Sequence, residues 1–199
     1  MAKAIDIARY ILWLAASEPE AEPISHMRLQ KLLYYAQGWR LAMRGESLFD
    51  DPINGWVHGP VVRSVYPAFS RYDAGAIPSS EAEEGEKLAC DEMALVESIW
   101  ENYKKYSAAE LRKKTHSEEP WLESRRGMEP EERGNRVISR ETMRNFFRDQ
   151  YKQFARPGLT LDRLERAEQE LKSGQGVLLS SIRERLANAL PSQTDPGGG

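Results

Sequence analysis

Residues 29–69 constrain the fold more strongly than any other part of this sequence. A helix is predicted over residues 29–43, because apolar residues recur there at intervals of three and four positions. These apolar positions are Leu29, Leu32, Leu33, Ala36, Trp39 and Met43. Gly45 follows soon after them, and a glycine at this place is predicted to end the helix.

A short extended segment and a sharp bend follow this helix. Residues 53–57 are extended in character. His58-Gly59-Pro60 is predicted to bend the chain, because glycine permits a positive φ and proline fixes its own φ. Proline is also favoured in the first turn of a helix, so a second helix is predicted over residues 61–72.

Helical patterns dominate the rest of the first 154 residues. Helices are predicted over residues 4–16, 88–106, 108–114, 122–126 and 140–154. Ser25, Ser107 and Ser139 each precede a predicted helix and are predicted to cap it. Residues 136–138 are extended, and their pairing with residues 53–57 would give a minimal two-stranded β ribbon. We therefore expect a mainly α fold, with six or seven helices in a single compact domain.

The clearest domain boundary lies at residues 155–158, where Pro157 and Gly158 interrupt the helical pattern. We expect a domain over residues 1–155, an amphipathic helical arm over residues 156–190 and a disordered tail over residues 191–199. The apolar positions of the arm are Leu161, Leu164, Ala167, Leu171, Val177, Leu178, Ile182 and Leu186. These apolar faces require a cover, which is the parent domain, a second copy of the chain in a homodimer, or a partner protein.

Composition argues against several classes of function. Charged residues make up 30% of the chain, but the net charge is only −3, so the overall balance does not indicate nucleic-acid binding. The feature that favours a nucleic-acid-binding regulator is a modest basic cluster. It consists of Arg112, Lys113, Lys114, Arg125 and Arg126.

The sequence offers no recognisable catalytic or metal-binding pattern. Cys90 is the only cysteine, and the three histidines lack the spacing of metal ligands. Phosphate-binding loops, dinucleotide fingerprints and nucleophile elbows are absent from the sequence. We therefore predict no enzyme, no cofactor and no metal. The apolar run near the N-terminus is too short to span a bilayer, and we expect a soluble cytoplasmic protein that does not contact the membrane.

Three sequence blocks follow one another along the chain. They are L-Q-K-L-L-Y-Y-A-Q-G-W at residues 29–39, W-V-H-G-P-V-V-x-x-V-Y at residues 56–66 and T-H-x-E-x-P-W at residues 115–121. In this order they resemble the Panacea domain of SocA-like antitoxins, also known from phage-associated GepA-like proteins. The resemblance implies an antitoxin that binds a protein toxin, usually encoded by an adjacent gene, and blocks it by direct contact. Some relatives instead hand the toxin to a Clp protease, and the sequence leaves both mechanisms open.

The second block supports both a structural and a binding interpretation. One set of residues is predicted to anchor the core: Trp39, Trp56 and Trp121. His58, Arg63 and Tyr66 surround the predicted bend, and Arg63 and Tyr66 would share a helix face because they are three positions apart. Arginine and tyrosine are enriched at protein interfaces. We therefore predict that these three residues contribute to toxin binding.

The arm is predicted to form the other part of the toxin-binding surface. Its contributing residues are Leu161, Leu164, Leu171, Val177, Leu178, Ile182 and Leu186. The order of helix, glycines, valine and short helix is similar to the C-terminal arms of short antitoxins that wrap toxins of the RelE kind. Those arms usually carry a Ser-His-Glu step after the valines, whereas this sequence has Leu179-Ser180-Ser181.

Overall fold

A computed structural model describes residues 1–18 and 22–154 of the chain. This part contains seven α-helices and one two-stranded antiparallel sheet, which confirms the predicted mainly α fold. The elements are α1 (Ala4–Ala16), α2 (His26–Arg44), β1 (Ile53–Trp56), β2 (Gly59–Val62), α3 (Tyr66–Phe69), α4 (Cys90–Tyr103), α5 (Ala108–His116), α6 (Glu119–Ser124) and α7 (Arg140–Phe154). The predicted arm and tail lie outside the described residues. None of the described helices is long and apolar enough to cross a membrane.

Helix α2 is the centre of the fold. It packs against α1, α3, α4, α5, α7 and the β-hairpin, so it is buried on nearly all sides. Its ends are those expected from the sequence. The Ser25 side chain accepts a hydrogen bond from the Arg28 amide at the N-terminus, and Gly45 adopts a φ of 72° at the C-terminus.

An aromatic core forms where α2 meets α4 and α7. The Tyr35 and Tyr103 rings stack with their centroids 4.1 Å apart, and Phe147 meets Trp39 edge-on at 5.4 Å. The Trp39 indole N–H donates a hydrogen bond to the Tyr103 hydroxyl over 2.9 Å, so burial leaves neither group without a partner. A side chain at Gly38 would overlap the Phe147 ring. The glycine therefore permits the close approach of α2 and α7.

The predicted helix over residues 61–72 is wrong. Val61 and Val62 belong to β2, which pairs with β1 so that Trp56 lies opposite Gly59 and Ile53 lies opposite Val62. In the rest of the predicted range the structure has only the short α3 and a single 3₁₀ turn. β-branched residues such as these two valines favour strands, and here a partner strand is available, whereas Pro60 marked a helix start only by a local rule.

The predicted contact between residues 53–57 and residues 136–138 is present beside the hairpin. The Gly55 amide donates to the Arg136 carbonyl over 2.9 Å, and the Ile138 amide donates to the Ile53 carbonyl over 2.8 Å. Asn54 and Val137 form the antiparallel bridge between these hydrogen bonds. β1 is thus paired on both edges, and the main ribbon is the hairpin of β1 and β2.

Candidate functional site

Two polar side chains of α2 hold the strand β2. The Lys31 ammonium donates a hydrogen bond to the Pro60 carbonyl over 3.1 Å. The Gln30 side-chain oxygen accepts from the Val62 amide over 2.7 Å. Both side chains are buried, so these bonds satisfy polar groups on both partners. Sequence analysis assigned neither residue a role, because a polar residue inside a helix does not show which distant backbone group it will meet.

Gly59 allows Lys31 to reach the hairpin. Its φ of 102° is unfavourable for other residues, which confirms the positive φ expected at this bend. A side chain at this position would also meet Lys31 Cε at 2.5 Å and the Thr115 hydroxyl at 3.0 Å. The glycine is therefore required both by its backbone conformation and by the side chains packed against it.

The block at residues 115–121 supports the hairpin from the other side. The His116 ring stacks on Trp121, with centroids 4.0 Å apart and an interplanar angle of 11°. The Trp121 indole N–H donates to the Trp56 carbonyl over 2.9 Å. The Tyr35 hydroxyl donates to the Glu118 carboxylate over 2.9 Å. Residues from all three sequence blocks therefore meet around the hairpin.

An open groove of about 1080 Å³ lies between the start of α2, the hairpin, α3 and the loop over residues 131–135. We call it the aromatic groove. On one side the Tyr66 ring packs against His26, with centroids 4.5 Å apart, and against Trp56 at 4.8 Å. The Trp56 indole N–H donates to the Asn135 side chain over 3.2 Å. Trp56 is only partly buried, so the prediction that it anchors the core is wrong, whereas Trp39 and Trp121 are buried as predicted.

The three binding residues predicted in the domain all line the aromatic groove. His58 lies in the hairpin turn, Arg63 follows β2, and Tyr66 begins α3. The reason given for grouping Arg63 with Tyr66 is wrong, because Arg63 precedes the helix and does not share a helix face with Tyr66. The predicted binding residues of the arm lie outside the described residues: Leu161, Leu164, Leu171, Val177, Leu178, Ile182 and Leu186.

Residues 29–122 match the family model described as Antitoxin SocA-like, Panacea domain. This part of the chain is a Panacea domain. A curated relative, Antitoxin SocA from Caulobacter vibrioides (strain NA1000 / CB15N), is 46% identical over 48 residues, which cover 24% of this chain and 26% of the relative. The match thus spans about a quarter of that relative's length. No solved structure was found to match the chain.

The matched residues contain all three blocks from which the family was recognised. Most residues of the three blocks stabilise the fold of this Panacea domain. Gln30 and Lys31 hold the hairpin, Trp121 joins it to α6, and Glu118 joins the start of α6 to α2. The groove-lining residues of the second block differ, because His58 and Arg63 are exposed and Tyr66 is partly exposed.

Arg125 shapes the far wall of the aromatic groove. Its side chain is 6% exposed, and its guanidinium donates to the carbonyls of Glu129 and Pro130 over 3.1 Å and of Glu132 over 2.7 Å. These bonds hold the loop that ends at Asn135. Arg125 therefore does not belong to an exposed basic cluster, which weakens the sequence argument for a nucleic-acid-binding surface.

Burial shifts the pKa of several groups near the hairpin. Burial, followed by the charge of Arg112, lowers the pKa of Lys31 to about 7. Burial, followed by Arg112, Lys31, His58 and Arg125, lowers the pKa of His116 to about 4. Burial also lowers the pKa of His26, and Lys31 adds to this shift while Asp73 opposes it. The charges that act on Lys31, His116 and His26 are therefore mainly positive.

The described residues do not contain a group of three or more His, Cys, Asp or Glu side chains that could hold a metal ion. The aromatic groove instead presents ring faces, exposed side chains of both charges and a buried lysine along one opening.

Proposed function

We propose that this protein is an antitoxin, a non-enzymatic regulator that neutralises a partner toxin by binding to it directly. The match to the SocA-like Panacea domain supports the antitoxin role. The observation that supports direct binding is the aromatic groove, where Trp56 and Tyr66 are partly exposed beside Arg63. Tryptophan, tyrosine and arginine are the residues most often responsible for binding energy at protein interfaces.

The binding surface that we propose has two parts. The first is the groove rim at His58, Arg63 and Tyr66. The second is the arm, through its apolar residues at Leu161, Leu164, Leu171, Val177, Leu178, Ile182 and Leu186. If both parts hold the toxin, altering one part should weaken the complex without abolishing it, because each part supplies only a share of the binding free energy.

Co-expression with the toxic product of the adjacent reading frame tests this function. The wild-type protein should restore growth and should co-elute with the toxin in size-exclusion chromatography. Tyr66→Ala should weaken the complex by about 2 kcal/mol, or roughly thirtyfold, while Tyr72→Ala, on an aromatic ring outside the groove, serves as the matched control. In the arm, Ile182→Asp should also weaken the complex.

Rescue in cells without Clp protease, the lifetime of the toxin and binding to promoter DNA separate the alternative mechanisms. Direct inhibition predicts rescue in cells that lack Clp protease, and it predicts that the toxin persists in the complex. Rescue that disappears without the protease, together with rapid loss of the toxin in its presence, would make the protein an adaptor instead. A wild-type protein that fails to bind the toxin but shifts a fragment of its own promoter in a gel would make it a nucleic-acid-binding regulator.

A further inference from the structure

We propose that the aromatic groove binds a segment of the partner protein in which a carboxylate lies next to an apolar or aromatic side chain. This inference rests on the proposed function, because the partner is taken to be the toxin. It adds the chemistry of the segment that is recognised.

The carboxylate is indicated by the buried Lys31 side chain in the wall of the groove. Lys31 lines the groove but is only 1% exposed, and among the described residues its one hydrogen bond goes to the Pro60 carbonyl. An ammonium group has three N–H donors, so two of them are not used by this contact. In the described part of the chain Lys31 forms no ion pair, and the charged group that acts on it most is another cation, Arg112. A buried cation without an opposite charge is unfavourable, and an incoming carboxylate would relieve this.

The other charged groups around Lys31 do not supply that opposite charge. On α5, Arg112 acts on Lys31, and Lys31 acts on His116, which is also affected by His58 of the hairpin turn and by Arg125. His26 lies on the same helix as Lys31. The carboxylates of the groove are Asp73 and Glu131, which are exposed at its rim together with Arg63 and Arg133. The rim is thus mixed in charge, and the preference for an anion arises at the buried Lys31.

The apolar neighbour is indicated by the aromatic side of the groove. Tyr66 packs between His26 and Trp56, and Met27 and Val61 lie beside these rings along the same opening. Aromatic rings bury much apolar area when another side chain packs on them, which favours an aliphatic or aromatic partner side chain. The two features lie in one groove, so one segment can contact both.

Recognition must occur through side chains rather than by strand addition to β2. The Pro60 carbonyl is bonded by Lys31 and the Val62 amide by Gln30, while the Val62 carbonyl accepts from the Val65 amide over 3.1 Å. Proline contributes no N–H, so this strand has few backbone groups left for another strand.

Peptides displayed on phage and selected against the full-length protein test the proposal without knowledge of the toxin. The enriched peptides should share an Asp or Glu adjacent to an aliphatic or aromatic residue. Replacement of that acid by Asn or Gln should weaken binding at least about tenfold, and Tyr66→Ala and Arg63→Glu should weaken it similarly. Tyr72→Ala should bind normally. Absence of enrichment, or equal binding of the acidic and amide peptides, would overturn the proposal.

Proton uptake gives a second measurement, which does not depend on a Lys31 variant that could disturb the hairpin. Lys31 has a pKa of about 7 in the unbound protein, so it is mostly neutral at about pH 8. A bound carboxylate raises this pKa, so binding should take up a fraction of a proton. Calorimetry with the selected peptide in triethanolamine and in Tris, neither of which is an anion, should then give enthalpies that differ in proportion to the buffers' ionisation enthalpies. Equal enthalpies would contradict the proposed contact.

The outcomes distinguish failure of the inference from failure of the function. If Tyr66→Ala and Arg63→Glu neutralise the toxin as well as the wild-type protein, the groove is not the recognition site, although the protein remains an antitoxin. If the wild-type protein does not neutralise the toxin, the proposed function is wrong. If inorganic phosphate alone competes fully with the selected peptide, the groove binds a small anion, and the proposal of a partner segment is overturned.

Discussion

Two groups of aromatic side chains involve residues of α2. They differ in whether another part of the protein covers the rings. In the aromatic core, Trp39 and Tyr35 pack against Tyr103 and Phe147, and all four are buried. At the start of the same helix, His26 contacts Tyr66, but the ring faces there open into the groove. The residue types are similar, so composition does not separate a core from a binding surface. What separates them is whether another element closes over the rings.

The two regions differ in the residue that sets the distance to the covering element. At the core, Gly38 lets α7 approach α2 until Phe147 fills the space. Beside the groove, Arg125 ties the loop over residues 129–132 to itself. The loop therefore forms a wall rather than a lid. This comparison predicts that substitutions in the core reduce stability, whereas substitutions in the groove reduce binding.

The largest expected effect is the loss of a core ring. Trp39→Ala should lower the free energy of unfolding by about 3–5 kcal/mol, because it leaves a cavity and removes the hydrogen bond to Tyr103. Trp56→Ala, its matched control, should cost less than about 2 kcal/mol, since this ring is partly exposed. Urea denaturation of both variants measures the difference. Equal losses would show that the groove is energetically a part of the core.

A somewhat smaller effect is expected at Gly59. Gly59→Ala should cost roughly 2–4 kcal/mol, because the positive φ is strained and the methyl group meets Lys31 and Thr115. Gly45→Ala is the control, since Gly45 also has a positive φ but has no neighbour within 4 Å of the added atom. Thermal melts of the two variants separate backbone strain from side-chain contact. The role assigned to the packing of Lys31 on the hairpin would fail if the two variants melted alike.

The third effect is a pH dependence that comes from Lys31. Its pKa is lowered from 10.5 to about 7 by folding, so the unfolded chain binds more protons between these pH values. Stability should therefore rise with pH, by about 2 kcal/mol at most between pH 7 and pH 9. Lys31→Met should flatten this rise. A wild-type stability that is constant or falls over this range, measured by urea denaturation, would contradict the burial of a cation behind the groove.

Glu118 and His116 change the stability at pH values up to about 7, below the range in which Lys31 is measured. The pKa of Glu118 is raised to about 7 by burial, so its contribution to stability is lost as pH rises from 4.5 towards 7. The pKa of His116 is lowered to about 4, so its contribution increases as pH rises from 4 to 6.5. The contributions of Glu118 and His116 oppose each other at acidic pH. The contribution of Lys31 to the pH dependence begins at about pH 7.

The smallest expected change in stability is that of Tyr66→Ala. Tyr66 is partly exposed, and the two rings it packs on have other partners, since His26 contacts Gln30 and Trp56 contacts Asn135. We therefore expect a loss of about 1 kcal/mol or less. A thermal melt near that of the wild-type protein, combined with weaker binding of the toxin, would sharpen the contrast with Trp39. A large loss of stability would instead make Tyr66 a structural residue.

Local signals in the sequence determined most of the helices. The bounds of α1 agree with the prediction, and Ser25, Gly45 and Ser107 mark helix ends as expected. These features depend on residues within a few positions of one another, so a single sequence displays them. The three blocks were also sufficient to recognise the Panacea domain, and the comparison confirms it.

Tertiary structure decided the features that involve distant residues. Val61 and Val62 form a strand because β1 and Gln30 supply partners for their backbone, and Gln30 lies 32 positions earlier. Trp56 borders a groove rather than the core, and the loop beside it is held by Arg125 and bonded to the Trp56 indole through Asn135. Local sequence patterns do not show which distant residue will bind a strand or where a distant loop will lie. Long-range hydrogen bonds and the covering of ring faces are set only when the helices and the hairpin pack together.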